Sequence, residues 1–386
     1  MNTIFFKLIP VLFAFFIMGF VDIVGVSTSY VKQDFELNDT LANLLPMLVF
    51  IWFAICSLPT SLLMGRIGRK KTVLYSLGIT CISMLIPLIY YSFTTVLLAF
   101  TLLGIGNTVL QVSLNPLLLN VVAKDKFTST LTLGQFIKAI SSTLGPVIAS
   151  AMVGVWGSWH LIFVVYAITS FLSCLWLAMT PIKEMSNTQS SQNIGNIFSL
   201  FRNSKLMIAF SVILLIVGFE IGLMTAVPKY LFEQCGLPIE KGSLGCSLYF
   251  AARTLGTFLG TIILARYSSG KFLTINMILA IVVFAIFMLV SNITILLIAL
   301  FLIGLTCANV FPIIFSQAIQ SEPDKANEIS ALMIMGVAGG AILPVIMGLV
   351  ADNSSQLVSL LIPFGALIYI LIVSIQQNKT HKNIQI

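Results

Sequence analysis

Along almost the whole chain, apolar runs of about 20 residues alternate with short polar connections, and each run could cross a hydrocarbon layer ~30 Å thick as a helix. Backbone amides in lipid must be satisfied within their own segment, so a bundle of helices is the expected architecture. The pattern predicts spans near residues 8–30, 41–64, 72–92, 95–122, 129–154, 160–179, 206–231, 242–264, 272–291, 294–319, 329–350 and 356–376. One polar stretch, containing SNTQSSQNIGN, parts six spans from six. The expected organisation is therefore an all-α membrane protein of 12 transmembrane helices. It comprises an N-terminal six-helix bundle (1–180), a linker (181–205) and a C-terminal six-helix bundle (206–386).

Composition agrees: 58% of residues are hydrophobic, 9% are charged and the mean hydropathy is +1.06. A soluble domain carries about 25% charged residues, which argues against a soluble fold. The net charge of +7 reads as orientation rather than nucleic-acid binding. Lys7, Arg66, Arg69, Lys70, Lys71, Lys124, Lys126, Lys183, Arg202, Lys205, Arg266, Lys271, Lys325, Lys379 and Lys382 fall at the termini and even-numbered loops. The opposite loops hold only Lys32 and Lys241. By the positive-inside rule both termini face the cytoplasm, as expected for a multi-pass inner-membrane protein. Trp156 and Trp159 fall in the short turn between spans five and six and read as interfacial anchors.

The two halves look duplicated. Gly19 and Gly218, Asp22 and Glu220, Arg66 and Arg266, Pro116 and Pro312, and Pro146 and Pro344 are related by offsets of 196 to 200 positions. Two parallel six-helix halves make a secondary-transporter arrangement. Within the spans the polar exceptions carry the chemistry. Asn107, Gln111 and Asn115 share one helix face, with Gln135 in the fifth span and Asn309 in the tenth. Amides there are costly unless they meet a partner or a wet cavity, and they both donate to and accept from hydroxyl groups.

Four ionisable groups fall deep in the spans: Asp22, Lys138, Glu220 and Arg253. Each half holds one acid and one base. Two static ion pairs, Asp22–Lys138 and Glu220–Arg253, are one reading. The other has some of these groups lining a water-accessible path, with a carboxylate that takes up a proton in one setting and releases it in another. Asp22 is then the first candidate for ion coupling and Glu220 the second. Lys138 and Arg253 become candidate substrate ligands. The chain carries no GxxxxGK[ST], HExxH or GxSxG, and its six cysteines show no ligand-like spacing. Neither an enzyme nor a resident cofactor or metal is expected.

The loop Gly65–Lys71 (GRIGRKK) resembles the loop motif of the major facilitator superfamily, roughly G-x-L-x-D-R-x-G-R-[RK]. Arg66, Gly68, Arg69 and Lys70 match as a gating loop, while Ser61 and Gly65 replace the first glycine and the aspartate. The stretches QVSLNP (Gln111–Pro116), Gly134–Gln135, Gly145–Pro146, NVFPIIF (Asn309–Phe315) and GGAILPVIMGLVAD (Gly339–Asp352) resemble the fucose:proton symporter (fucose/glucose–galactose permease) family. That family has an acid near Val26, a glutamate at Gln111 and an asparagine at Lys138, so its coupling acids do not carry over. The resemblance implies the major facilitator fold and a secondary active importer of a hexose or related monosaccharide, coupled to protons and working as a monomer in the lipid bilayer. A sugar acid or other anionic solute, or drug or metabolite export on the same scaffold, are the alternatives. Asn107, Gln111, Asn115, Gln135, Lys138, Arg253 and Asn309 are the expected substrate ligands.

Overall fold

The computed structural model describes residues 2–37, 41, 44–184, 200–236 and 239–384; the linker core at 185–199 lies outside the described residues. Among the described residues every regular element is helical. The first span is α1 (Asn2–Met18), a 3-10 turn (Gly19–Asp22) and α2 (Ile23–Asp34). Spans two to six are α3 (Leu44–Ile67), α4 (Arg69–Ile89), α5 (Phe93–Leu117), α6 (Phe127–Trp156) and α7 (Leu161–Met179). Spans seven to nine are α8 (Ser204–Cys235), α9 (Ile239–Leu264) and α10 (Ser269–Leu289). The tenth joins α11 (Ile293–Cys307) to α12 (Val310–Ser321). The eleventh joins α13 (Ala326–Met335) through a 3-10 turn (Gly336–Ala338) to α14 (Gly339–Asn353), and the twelfth is α15 (Gln356–Ser359) with α16 (Leu361–Ile384). Among the described residues each of the twelve expected spans has a helical counterpart. Among the described residues 11 helices are long and apolar enough to cross a membrane.

Local chemistry sets the ends. Ser92 and Thr95 form a reciprocal capping box, with Thr95 N–H donating to Ser92 Oγ (3.2 Å) and Ser92 N–H to Thr95 Oγ1 (3.0 Å). Asn203 and Asn292 cap α8 and α11 with their side-chain oxygens. Gly157 (φ 70°) and Gly236 (φ 64°) stop α6 and α8 in the left-handed conformation that glycine adopts without strain.

The duplicated glycines do duplicated work. A Cβ on Gly19 would meet Lys138 O at 2.6 Å, and one on Gly218 would meet Leu343 Cδ1 at 2.8 Å, so the first span packs on the fifth as the seventh packs on the eleventh. Gly104 lies against Val49 O and Gly304 against Tyr249 O, so spans four and ten press on spans two and eight at equivalent positions. These close approaches need no hydrophobic drive, which lipid does not supply.

Among the described residues, spans expected to be continuous are broken at Gly19–Asp22, at Ala308–Asn309, at Gly336–Ala338 and, near the start of the twelfth, at Leu360. The chain forms two compact units, Met1–Leu200 with Ile319–Met335, and Phe201–Ala318 with Gly336–Ile386. In the first, α13 packs on α3 and α5, and Ser330 Oγ donates to Val112 O (2.6 Å). Large apolar side chains such as Ile89 (85% exposed) and Leu289 (84%) line the surface, as lipid contact requires.

Trp159 departs from the expected anchoring role. It is 5% exposed, its ring stacks on Tyr30 at 5.1 Å, and its Nε1 donates to Asp34 Oδ2 (2.8 Å). Tyr91 Oη (2.7 Å) and His160 Nε2 (3.2 Å) share that carboxylate oxygen. Asp34 therefore ties the end of α2 to the α4–α5 and α6–α7 connections. Burial raises its pKa, but hydrogen bonds from Tyr91, Trp159 and His160 and the His160 charge outweigh this and hold it below the ordinary carboxylate value. A depressed folded pKa means the stabilisation is complete above the unfolded pKa of about 3.9 and is lost as pH falls through the lower folded value. Thermal unfolding followed downward from pH 5 should show the wild type losing stability more steeply below about pH 4 than Asp34→Asn. Parallel curves would contradict this.

Candidate functional site

In the first unit, the broken first span brings a backbone carbonyl to the interior and leaves the Asp22 carboxylate exposed beside it. Asn107 on α5 donates from Nδ2 to Met18 O (2.8 Å), the last carbonyl of α1. Gln111, one turn on, donates from Nε2 to Asn107 Oδ1 (2.7 Å). Both amides are buried, at 1% and 4% exposure. They form a polar string running from the break in span one into the face of span four. Asn115 continues that face fully buried, with no hydrogen-bond partner for either amide atom among the described residues.

Asp22 ends the 3-10 turn and is exposed, whereas Gly19, Phe20, Val21 and Ile23 around it are buried. Its carboxylate accepts a hydrogen bond from Ser142 Oγ on α6. Ser142 also donates to Lys138 O (3.0 Å), placing Lys138, half-buried, one turn away on the same helix. Gln135 lies a turn earlier on α6 and is half-buried. Sequence reasoning missed Ser142, although its spacing from Lys138 was a usable signal.

In the second unit, Glu220 on α8 and Arg253 on α9 form an ion pair, Nη1 to Oε1 2.9 Å, with side chains 12% and 34% exposed. They border a cavity with about 30 Å³ open to a water-sized sphere, also lined by Tyr249, Cys307, Ala308 and Phe311. A space of this size holds a water or two. It lies where α11 breaks from α12, so the tenth-span break and the buried acid belong to one site. Tyr249, Cys307 and Phe311 are functional candidates that polarity alone did not flag. Asn309, at the same break and 3% exposed, donates from Nδ2 to Gly256 O (2.8 Å). Its side chain fills the groove left by Gly260, where a Cβ would collide with its amide.

The loop motif is also built. Gly68 caps α4 with φ 90°. Arg69 is 8% exposed; its Nε donates to Asn327 Oδ1 (2.7 Å), and its Nη1 to Asn120 Oδ1 (2.9 Å) and Pro116 O (3.2 Å). Arg66 is exposed, and Lys70 is half-buried. No group of three or more His, Cys, Asp or Glu suited to a metal ion occurs among the described residues.

The chain is similar to the "Glucose/galactose transporter" of Brucella abortus, 24% identical over 385 residues that cover 95% of this chain and 92% of that one. It is similar in fold to the E. coli fucose:proton symporter FucP, at TM-score 0.83 and 18% identity, covering 96% of this chain and 97% of that one. It is similar also to the proton:xylose symporter XylE, at TM-score 0.72 and 13% identity, covering 96% and 95%. The family model described as "Major Facilitator Superfamily" matches residues 11–344. With both halves of that match folded into the expected spans, the chain belongs to the Major Facilitator Superfamily.

Proposed function

We propose that this protein imports glucose, galactose or a related monosaccharide across the inner membrane together with protons, by alternating access. The observation that carries this is the polar string Met18 O–Asn107–Gln111, buried in the bundle and joined to the break that bears the exposed Asp22. Amides that both donate and accept suit sugar hydroxyls, and a carboxylate beside them can carry a proton. Relatives described as glucose/galactose transporters support the substrate class. In this reading Asn107, Gln111, Asn115, Gln135 and Asn309 read hydroxyls, Asp22 carries the proton with Glu220 second, and both termini are cytoplasmic. The protein works as a monomer in the bilayer.

A sugar acid is the second reading, favoured by the partly exposed Arg253 guanidinium at the cavity and by Lys138 one turn from Ser142. Uptake into proteoliposomes of glucose, galactose, fucose and galacturonate, with and without an inward proton gradient, separates the two. Neutral hexoses should accumulate only with the gradient, and Lys138→Ala should leave their uptake intact. Uptake of galacturonate alone, lost in Lys138→Ala, would replace the first reading by the second. Transport of none of the four would overturn both.

A further inference from the structure

We infer that Glu184 is a positioning residue for Arg69: its carboxylate fixes the first turn of α4 and so aims the guanidinium that holds α13 on the first unit. Each carboxylate oxygen takes one backbone donor, Oε2 from Arg69 N–H (2.8 Å) and Oε1 from Lys70 N–H (2.7 Å). These are among the donors that a helix N-terminus leaves unpaired, and a negative charge there is favoured by the helix dipole. Gly68 makes room: it adopts φ +90°, and a Cβ on it would collide with Glu184 Oε2.

The contact is reciprocal. Lys70 Nζ donates to Ala178 O and Thr180 O, each at 2.9 Å, at the C-terminal end of α7. An acid beyond the end of α7 thus sits on the start of α4, while a base on α4 sits on the end of α7, each matching the local dipole.

With its backbone held this way, Arg69 projects a forked donor to Asn327, Asn120 and Pro116. These acceptors are neutral oxygens, so their geometry rather than ionic attraction to them decides whether the fork is met. Only Asn327 belongs to α13, the helix that packs with the first unit although α14, beyond the Gly336–Ala338 turn, packs with the second. Glu184, Arg69 and Asn327 therefore form a chain of three links from the end of α7 to the start of α13. In the transport reading above, on which the functional arm of the test rests, this attachment governs turnover rather than solute affinity.

Hydrogen–deuterium exchange of the full chain in lipid nanodiscs tests the positioning itself. Glu184→Gln should speed exchange in peptides covering 69–74 and 326–335 by roughly three- to tenfold, since a charge-assisted cap is replaced by a neutral one. Peptides from α10 should be unchanged, and Glu184→Asp, which keeps the charge, should return part of the protection. Unchanged exchange at 326–335, or an equal rise everywhere, overturns the inference. If Glu184→Gln does not fold, Lys70→Met removes the reciprocal half and must give the same local pattern; its absence is equally fatal. In sugar counterflow, Glu184→Gln should change the maximal rate at least about threefold with half-saturation unmoved. The reverse split would overturn the turnover role. Should the wild type move no sugar at all, the transport reading fails while the exchange experiment still decides this one.

Discussion

Replacing Asp22 by asparagine is expected to abolish accumulation of sugar against its gradient while leaving sugar-for-sugar exchange in place. An inward gradient of one pH unit supplies about 1.4 kcal/mol per proton, enough for roughly tenfold accumulation of a co-transported solute. Asparagine preserves the size of the side chain and can still accept from Ser142, but it cannot take up a proton. The ratio of internal to external sugar should therefore fall from that level to one. Exchange at equal pH needs no net proton movement and should persist within a few-fold. Asp22 is favoured over Glu220 because it is the exposed residue of an otherwise buried turn and its carboxylate accepts from the neutral Ser142 hydroxyl. Glu220 is held by Arg253 at 2.9 Å. If Asp22→Asn still concentrates sugar and Glu220→Gln does not, the roles are exchanged.

Arg253→Leu carries the largest expected cost to stability. Removing one partner of a buried ion pair leaves a charge in a low-dielectric site, at about 3–5 kcal/mol when burial is complete. Arg253 is 34% exposed, so solvent screens part of this, and a loss on the order of 2–3 kcal/mol is expected. The double variant Glu220→Gln/Arg253→Leu should recover most of the loss, because no charge is then stranded. Thermal unfolding in detergent reads the difference directly. Single variants within about 0.5 kcal/mol of the wild type would show that the pair is open to water and contributes no measurable stability.

Much of the fold was legible because lipid imposes a simple rule: a span must be apolar for its full width, and loops must not be. The same rule made Asp22, Glu220, Arg253 and the amides stand out, since each violates it. The Glu220–Arg253 contact was among the pairings the sequence suggested, and the chain makes it. What stayed hidden depends on distant backbone. The break at Gly19 accompanies its close approach to Lys138 O, and no local pattern around GFVD announces it. Trp159 read as an interfacial anchor because the residues it meets, Asp34 and Tyr30, lie far away in sequence. The Gly104–Val49 and Gly304–Tyr249 contacts show the duplication at the level of packing, yet Val49 and Tyr249 share no chemistry that an eye scanning the sequence would pair. Tyr249 and Cys307 were passed over for a related reason. Polarity marks a site residue only when its neighbours are apolar, whereas aromatic and thiol side chains are ordinary in a span.

In the proposed mechanism a neutral sugar and a proton move together through a site that includes Asp22 and the Asn107–Gln111 string. Recording external pH in a weakly buffered suspension of de-energised cells expressing the protein tests it most directly. Adding glucose or galactose should make the medium transiently more alkaline in the wild type, and Asp22→Asn should take part in exchange without that pH change. Sugar entry through the wild-type protein with no alkalinisation, or a full pH response in Asp22→Asn, would contradict it.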